Sequence, residues 1–394
     1  MTIERGAAEA IGLPVRPEIA DLPFSRIRAI AREGMLQKGV IPLWFGEGDD
    51  PTPKFITDAA AHALAEGKTF YTLNRGLAEL REEIAGYMSG LYGPSIGADR
   101  VTVTASGMSG IMIAVQCVAG AGDNVAIVTP LWPNFVGCVR IMGAEPRFVG
   151  LDKIDGGWKL DLDKLFAACD ERTRAVVVNS PSNPTGWMMQ GEQQAALLSF
   201  CRERGIWLIA DEVYARIVYD RSFAPSFLEV AEADDLLLVV NSFSKSWSMT
   251  GWRMGWLTTP AALGPTLEMM NEYNVAGAAT FTQHAGVVAI TEGDDYVASL
   301  VERYRQARDL VFQRLQGMSR VGMSRPEAAF YAFFSVEGMT DSVAFVKRVL
   351  RETSVGLAPG SAFGEAGEGH LRLCYASSTA LLSDAMDRLE PMLS

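Results

Sequence analysis

The stretch Asn241-Ser-Phe-Ser-Lys-Ser-Trp-Ser-Met-Thr-Gly-Trp-Arg-Met-Gly-Trp256 follows directly on an apolar run, Leu236-Leu-Leu-Val-Val240. Serines surround a single lysine, Lys245, and no acidic residue in the stretch can pair with it. Arg253 follows eight positions later, among aromatics and glycines. Open α/β sheets place their ligands just past such buried strand ends. A desolvated lysine near another cation has a lowered pKa and becomes nucleophilic, as Schiff-base chemistry on a carbonyl requires. Taken alone, the same pattern also fits a helix-start lysine on a loop.

Upstream, the same arrangement repeats. Val125-Ala-Ile-Val128 leads into Thr129-Pro-Leu-Trp-Pro-Asn134, and Ala175-Val-Val-Val178 into Asn179-Ser-Pro-Ser-Asn-Pro-Thr-Gly186. Trp207-Leu-Ile-Ala210 leads into Asp211-Glu-Val-Tyr214. Short continuous apolar runs, rather than alternating ones, mark parallel strands covered on both faces. The strand Val101-Thr-Val-Thr104 ends in Ala-Ser-Gly-Met-Ser-Gly110, with a nearly all-apolar helix expected from Ile111 to Val118. That junction offers free N–H groups and a positive dipole end to an anion. It is neither a P-loop nor G-x-G-x-x-G, and a tight turn without a ligand fits it as well.

The strand ends fit one another. A planar heteroaromatic phosphate needs a face to stack on, which Trp132 offers. It needs a carboxylate for a protonated ring nitrogen, and Asp211 stands at an apolar strand end where charge is costly. Asn183 or Tyr214 can donate to a ring oxygen. Ser106, Gly107 and the hydroxyls of Ser242 and Ser244, with Arg253, can cup a phosphate. Lys245 supplies the amine.

Composition narrows the classes. The 394-residue chain is 48% hydrophobic, ordinary for a globular protein with a large core. Net charge is -12 and no basic run occurs, so neither nucleic acid nor an anionic membrane is an expected partner. Gly107 to Gly122, the longest apolar run, is too short to span a bilayer and contains Ser109 and Gln116. Glu4, Arg5 and Glu9 interrupt the start, which therefore does not read as a signal peptide. Five scattered cysteines without C-x-x-C spacing suit reduced thiols, so a cytoplasmic location is expected. His62, His284 and His370 have no metal-ligand spacing, and no metal site or Ser-His-Asp triad is expected from them.

The remaining segments complete the outline. Ile27, Ile30, Ala31 and Met35 space out a helix behind an N-terminal arm, and Leu43-Trp-Phe45 reads as a strand breaking into Gly46-Glu-Gly-Asp-Asp-Pro-Thr-Pro53. Leu77, Leu80, Ile84, Tyr87, Met88 and Leu91 share one face of a helix that follows the polar-aromatic loop at Tyr71. A long helix runs from about Tyr296 to Gln316, and Phe330–Phe334 and His370–Tyr375 read as strands. In the second of these, Arg372 lies between two leucines: alternation puts it either on a solvated face or in the crevice as an anion clamp.

These residues resemble the class I/II aminotransferases of fold type I, in particular the branch of bacterial aspartate aminotransferases. The resemblance runs from about Leu43 to Ser377. It rests on Gly46-Glu-Gly-Asp with Thr52-Pro53, Tyr71 with Gly76-Leu-Ala-Glu-Leu-Arg81, Pro130-Leu-Trp132 and Asn179-Ser-Pro-Ser-Asn-Pro-Thr-Gly186. Asp211-Glu-Val-Tyr214, Ser244-Lys245, Met249-Thr-Gly-Trp-Arg-Met-Gly255 and Arg372-Leu373 complete it. It implies pyridoxal 5'-phosphate bound through Lys245, which also serves as base for the proton shift. Asp211 would pair with the ring nitrogen, Tyr214 and Asn183 with the phenolate oxygen, and Trp132 would stack on the ring. Ser106, Gly107, Met108, Ser242 and Arg253 would hold the phosphate, joined by Tyr71 of a second subunit. Arg372 and Asn183 would bind the substrate, with Gly46 lining the pocket, and the Asn183–Pro184 bond would be cis.

There are departures. Met108 stands where a small or hydroxylic residue is common, and Ala328-Ala329 replaces a more usual Ser/Thr-Gly. No second arginine for a distal carboxylate is recognisable, which speaks against an acidic substrate.

The expectation is an α/β protein. A large domain with a mostly parallel sheet covered by helices (47–290) would sit beside a smaller α+β domain built from both chain ends, with 1–46 as an N-terminal arm and part of that domain and 291–394 as the rest. The activity expected is ping-pong transamination between an α-amino acid and a 2-oxo acid, in a homodimer with shared sites. The alternatives are a β-lyase on the same fold and a non-catalytic regulatory protein, the latter opposed by intact Lys245, Asp211 and Arg372.

Overall fold

A computed structural model describes residues 14–394; the start of the expected arm, with Glu4, Arg5 and Glu9, lies outside the described residues. Seven strands form the main sheet: β1 (Val101–Thr104), β2 (Asn124–Thr129), β3 (Glu145–Gly150), β4 (Thr173–Asn179), β5 (Trp207–Asp211), β6 (Leu237–Ser242) and β7 (Gly255–Thr258). Their order is β1-β7-β6-β5-β4-β2-β3. Every neighbouring pair is parallel except those of β7, which runs antiparallel to β1 and β6.

The continuous apolar runs follow from burial on both faces. Val176 and Val178 of β4 join the core on one side, with Ile84, Met88 and Trp256. Ala175 and Val177 join the core on the other, with Ile111, Val115 and Phe135. Successive residues of Ala175–Val178 are apolar because each face of β4 is a core. Helix Ala78–Tyr92 buries Leu80, Ile84 and Met88 as its periodicity predicts.

Helix Gly107–Val118 begins four residues before the apolar run at Ile111. Ser106 caps it, its Oγ accepting the Ser109 N–H at 3.0 Å. Ser106 is thus the helix cap and Gly107, Met108 and Ser109 belong to its first turn, rather than to a junction ahead of a helix starting at Ile111.

A second sheet, antiparallel, contains β8 (Val321–Gly322), β9 (Tyr331–Val336), β10 (Ala358–Pro359) and β11 (His370–Cys374) in the order β8-β9-β11-β10. Its core draws on both chain ends: Ile27 and Ile30 from helix Arg26–Met35 pack with Val346, Leu350 and Leu389. The helix expected from Tyr296 begins at Asp294 and reaches Gln316, burying Leu300, Tyr304, Val311 and Leu315. The architecture is therefore a mostly parallel sheet flanked by helices beside a smaller α+β part.

Two local expectations fail. The strand expected at Leu43–Phe45 is confined to Ile41–Pro42, paired with Val355–Gly356. Past it, the Trp44 and Gly46 carbonyls accept from side chains of Arg372 and Lys245 instead of from a strand. Met35, expected on the buried helix face, is 66% exposed because its helix ends there.

Candidate active site

Lys245 is delivered by a one-turn helix, Phe243–Ser246, at the end of β6. Ser242 caps that turn: its Oγ accepts the Ser244 N–H at 3.1 Å and lies 2.9 Å from Ser244 Oγ. The Lys245 Nζ donates to the Gly46 carbonyl at 2.7 Å and lies 5.8 Å from the ring centres of both Tyr214 and Phe330. No carboxylate among the described residues reaches ion-pair distance of it. Burial lowers its pKa to about 8, with Arg372 acting in the same direction and Glu47 and Asp211 against it. An amine in that range is substantially unprotonated just above neutrality, which a nucleophile requires.

Beside it the backbone closes tightly. A Cβ on Gly255 would stand 2.6 Å from both the Asn241 carbonyl oxygen and the Gly107 nitrogen. Only glycine lets β7, the end of β6 and the start of helix Gly107–Val118 approach this closely. The first-turn N–H groups after Ser106, which is held at φ 122°, are thereby set next to the Ser242 and Ser244 hydroxyls. Arg253, left-handed at φ 52°, stands on the exposed side and lines the same cavity as Lys245 and Ser244. Dipole end, hydroxyls and guanidinium together suit a phosphate.

Deeper in the sheet, Asp211 ends β5 and is 3% exposed. Its carboxylate accepts the Val213 N–H at 3.3 Å, and no cation among the described residues pairs with it. Burial therefore raises its pKa to about 7, opposed by that hydrogen bond and by Lys245. A partner carrying an N⁺–H would restore the charged form. Asn183 is placed by Asn179, whose Oδ1 accepts the Asn183 N–H at 2.7 Å. The Asn183–Pro184 bond is cis, as are Thr129–Pro130 and Ser180–Pro181. Tyr214 is buried, with its hydroxyl 2.7 Å from that of Tyr331. Trp132, half-buried, packs at the edge of the core that contains Leu131 and Phe135.

Arg372 takes the crevice side of the two placements open from sequence, and is 2% exposed. Its Nη1 donates to Asn183 Oδ1 at 3.0 Å and its Nη2 to the Trp44 carbonyl. The guanidinium lies between two aromatic faces, 4.6 Å from the centre of Tyr331 and 4.9 Å from that of Phe363. Its Nε is buried without a partner, and no carboxylate pairs with it among the described residues. A buried cation satisfied only by carbonyls and π faces can still take an anion as a bidentate pair.

The open cavity here measures about 730 Å³ and is lined by Lys245, Ser244, Arg253, Thr250, Phe281, Tyr304 and Phe330, among others. Glu47 also lines it, hydrogen-bonded by the Thr250 hydroxyl. Asp50 lines it too, paired with Arg303 at 2.7 Å. Tyr71 is not brought into this group: it is 93% exposed on its own loop. Met108 follows the glycine of the capped turn, its sulfur 3.4 Å from the Asn134 amide, and can offer an anion only its N–H.

Sequence reasoning missed Tyr331, the Gly46 and Trp44 carbonyls and Phe363. Carbonyl contacts leave no trace in residue type. Tyr331 was read only as part of a strand, although a buried tyrosine needs a hydrogen-bond partner.

Comparison with known proteins bears on this geometry. The family model for aminotransferase class I and II matches residues 38–389. An aspartate aminotransferase of Pyrococcus horikoshii is 32% identical over 372 residues, covering 94% of each chain. A probable aspartate/prephenate aminotransferase of Aquifex aeolicus is 34% identical over 380 residues, covering 94% of this chain and 95% of its own. The crystal structure of an aspartate aminotransferase from Thermotoga maritima superposes with a TM-score of 0.90 at 33% identity, covering 96% of this chain and all of the other.

Proposed function

The chain belongs to the class I and II aminotransferases, and on that premise we propose that pyridoxal 5'-phosphate binds at Lys245 and that the α-carboxylate of the substrate binds at Arg372. The chain is an aminotransferase; its cofactor, site residues and assembly are our reading. Its single strongest support is Lys245: a cavity-lining amine with no carboxylate partner, its pKa lowered to about 8, at the end of β6.

When bound, the cofactor supplies an electron sink for the carbanion left at the substrate α-carbon. The roles of the chain follow from the geometry. The Ser106-Gly107-Met108 turn, Ser242, Ser244 and Arg253 hold the phosphate. Asp211 holds a proton on the ring nitrogen, and its own pKa near 7 falls once that charge faces it. Tyr214 and Asn183 donate to the phenolate oxygen, and Trp132 covers the ring face. Arg372 orients the substrate carboxylate, so that Lys245 Nζ can take the α-proton and return it one position along. Gly46 takes part through its carbonyl, which receives Lys245.

A side chain without a second carboxylate suits the cavity. Thr250 holds the Glu47 carboxylate there and no cation among the described residues neutralises it. A donor screen that ranked aspartate above apolar amino acids would exclude this preference. The exposed apolar residues Phe70 (83%), Tyr71 (93%), Leu73 (60%) and Tyr273 (81%) support a homodimer in which Tyr71 reaches the second subunit's phosphate. We assign residues 47–290 to the cofactor-binding domain and 291–394, with the described part of 1–46, to the smaller one, in a cytoplasmic enzyme; residues 1–13 of the expected arm lie outside the described residues. No helix among the described residues is long and apolar enough to cross a membrane.

The test of the central assignment is reduction of the holoenzyme with borohydride, followed by peptide mapping. The label is expected on Lys245; label on another lysine, or none, excludes the assignment.

A further inference from the structure

Three groups of the site converge on a residue given no role so far, Tyr331. It opens β9 just after Ala329, which is left-handed at φ 57°, and its side chain is fully buried. Its hydroxyl lies 2.7 Å from that of Tyr214, and its ring face carries the Arg372 guanidinium at 4.6 Å. On its remaining side the Gly46 backbone closes over the hydroxyl so tightly that a Cβ there would collide with it.

The two phenols have two protons and share one hydrogen bond. One proton must therefore point away from the pair. If Tyr214 donated to Tyr331, the Tyr331 proton would be left in a buried space walled by Gly46. No other hydrogen bond of that hydroxyl exists among the described residues, and a buried donor without an acceptor is costly. If Tyr331 donates to Tyr214, the unplaced proton belongs to Tyr214, which also has no other partner among the described residues. The Tyr214 ring, however, is 5.8 Å from Lys245 Nζ, on the side where the bound cofactor's phenolate oxygen would accept that proton. A hydroxyl that accepts a hydrogen bond also becomes the stronger donor.

We propose that Tyr331 is a positioning residue that donates to the Tyr214 hydroxyl, fixing Tyr214 as donor to the phenolate oxygen of the bound cofactor. This rests on the assignment of Lys245 and Tyr214 given above. The same ring forms one wall of the Arg372 sandwich, so one side chain registers the carboxylate grip and the phenol against each other. The hydroxyl serves the phenol and the ring face serves the arginine, which makes the two separable.

The test is a pH titration of the visible absorption of the holoenzyme for wild type, Tyr331→Phe, Tyr214→Phe and the double variant. Tyr214 stabilises negative charge on the phenolate oxygen, which is greatest once the lysine–cofactor linkage has lost its proton. Weakening that donor keeps the proton on to higher pH. Tyr331→Phe should therefore raise the midpoint by about 0.5 to 1 pH unit, the size of one modest hydrogen bond. In the Tyr214→Phe background it should add nothing, since its route is gone. It keeps the ring, so affinity for 3-phenylpropionate, read from the same band, should stay within about twofold. An unmoved midpoint, a downward shift, or a shift that persists in the Tyr214→Phe background overturns the proposal. A wild type with no titrating lysine-linked band overturns the underlying assignment, and this proposal with it.

Discussion

Asp211→Asn should make the cofactor-free protein more stable, by an amount that depends on pH in a defined way. The carboxyl is 3% exposed, and burial raises its pKa from an ordinary 3.8 to about 7. Between those values the folded chain holds a proton that the unfolded chain has released, so stability falls as pH rises through that window. Above it, the fold carries a buried charge whose cost no longer changes. At 1.36 kcal/mol per pH unit, a shift of about three units amounts to roughly 4 kcal/mol, an upper bound since neighbours relax. Asparagine keeps the shape and can accept the same Val213 N–H, but has no charge to bury. Glu212, raised to about 8 chiefly by its own burial, is present in both proteins; the Asp211 charge is the last of the causes of that shift, so most of it cancels. The assay is denaturant unfolding of both apoproteins from pH 4 to pH 9. The gap should be near zero at pH 4, widen by about 1 kcal/mol per unit, and level off above pH 7. With the cofactor bound the order should reverse, and turnover should fall by roughly 10²-fold, the scale of losing one preorganised electrostatic contact. Unfolding curves whose separation does not vary with pH would refute the reasoning.

Three further outcomes are expected. Arg372→Leu should lower kcat/KM for α-amino acids by roughly 30-fold to several thousand-fold, corresponding to about 2–5 kcal/mol for one side of a desolvated charge pair. Its unfolding midpoint should hold or rise, because the residue removed is a buried charge without a carboxylate partner; a change in kcat/KM of only a few fold would rule out the carboxylate grip. Gly255→Ala should destabilise the fold by about 1–3 kcal/mol and weaken cofactor binding in a fluorescence titration, since its methyl meets backbone atoms at 2.6 Å that cannot swing aside; wild-type values for both would show that the junction is looser than described. Sedimentation at assay concentration should find a dimer, with Tyr71→Ala weakening cofactor binding in it; a fully active monomer excludes the shared site.

The strand ends were legible because two-sided burial writes itself into composition. Every position of β2 and β6 is buried, so the runs are unbroken and the first polar residue after each marks the crevice. The same two-sided burial hid the direction of Arg372. All of Leu371 to Cys374 is buried, so alternation in β11 carries no information about which side faces solvent. The helix start at Gly107 was legible in principle from Ser106 as cap, but the small residues up to Gly110 read as a strand-to-helix junction. Tyr71 illustrates another limit: a single chain leaves it in solvent, and the role proposed for it needs a surface that the sequence of one subunit does not describe.

What remained illegible is the way the site's charges are balanced. Lys245 and Arg372 are both held by backbone carbonyls, of Gly46 and Trp44, and neither has a carboxylate partner among the described residues. Asp211 is a buried carboxylate without a cation partner among the described residues, and burial raises its pKa to about 7. Carbonyls satisfy the donors without cancelling the charge, so Lys245 and Arg372 each remain a cation that an anion can still meet. An ion pair at either cation would have lowered the cost of burial, but would have neutralised the group that has to act. On the proposed function, the phosphate at the capped turn and the carboxylate at Arg372 would be the anions that meet the site's cations, and a ring N⁺–H the cation that meets Asp211. One planar ligand and one amino acid would meet all three demands only beside Lys245, which is the arrangement that the proposed function requires.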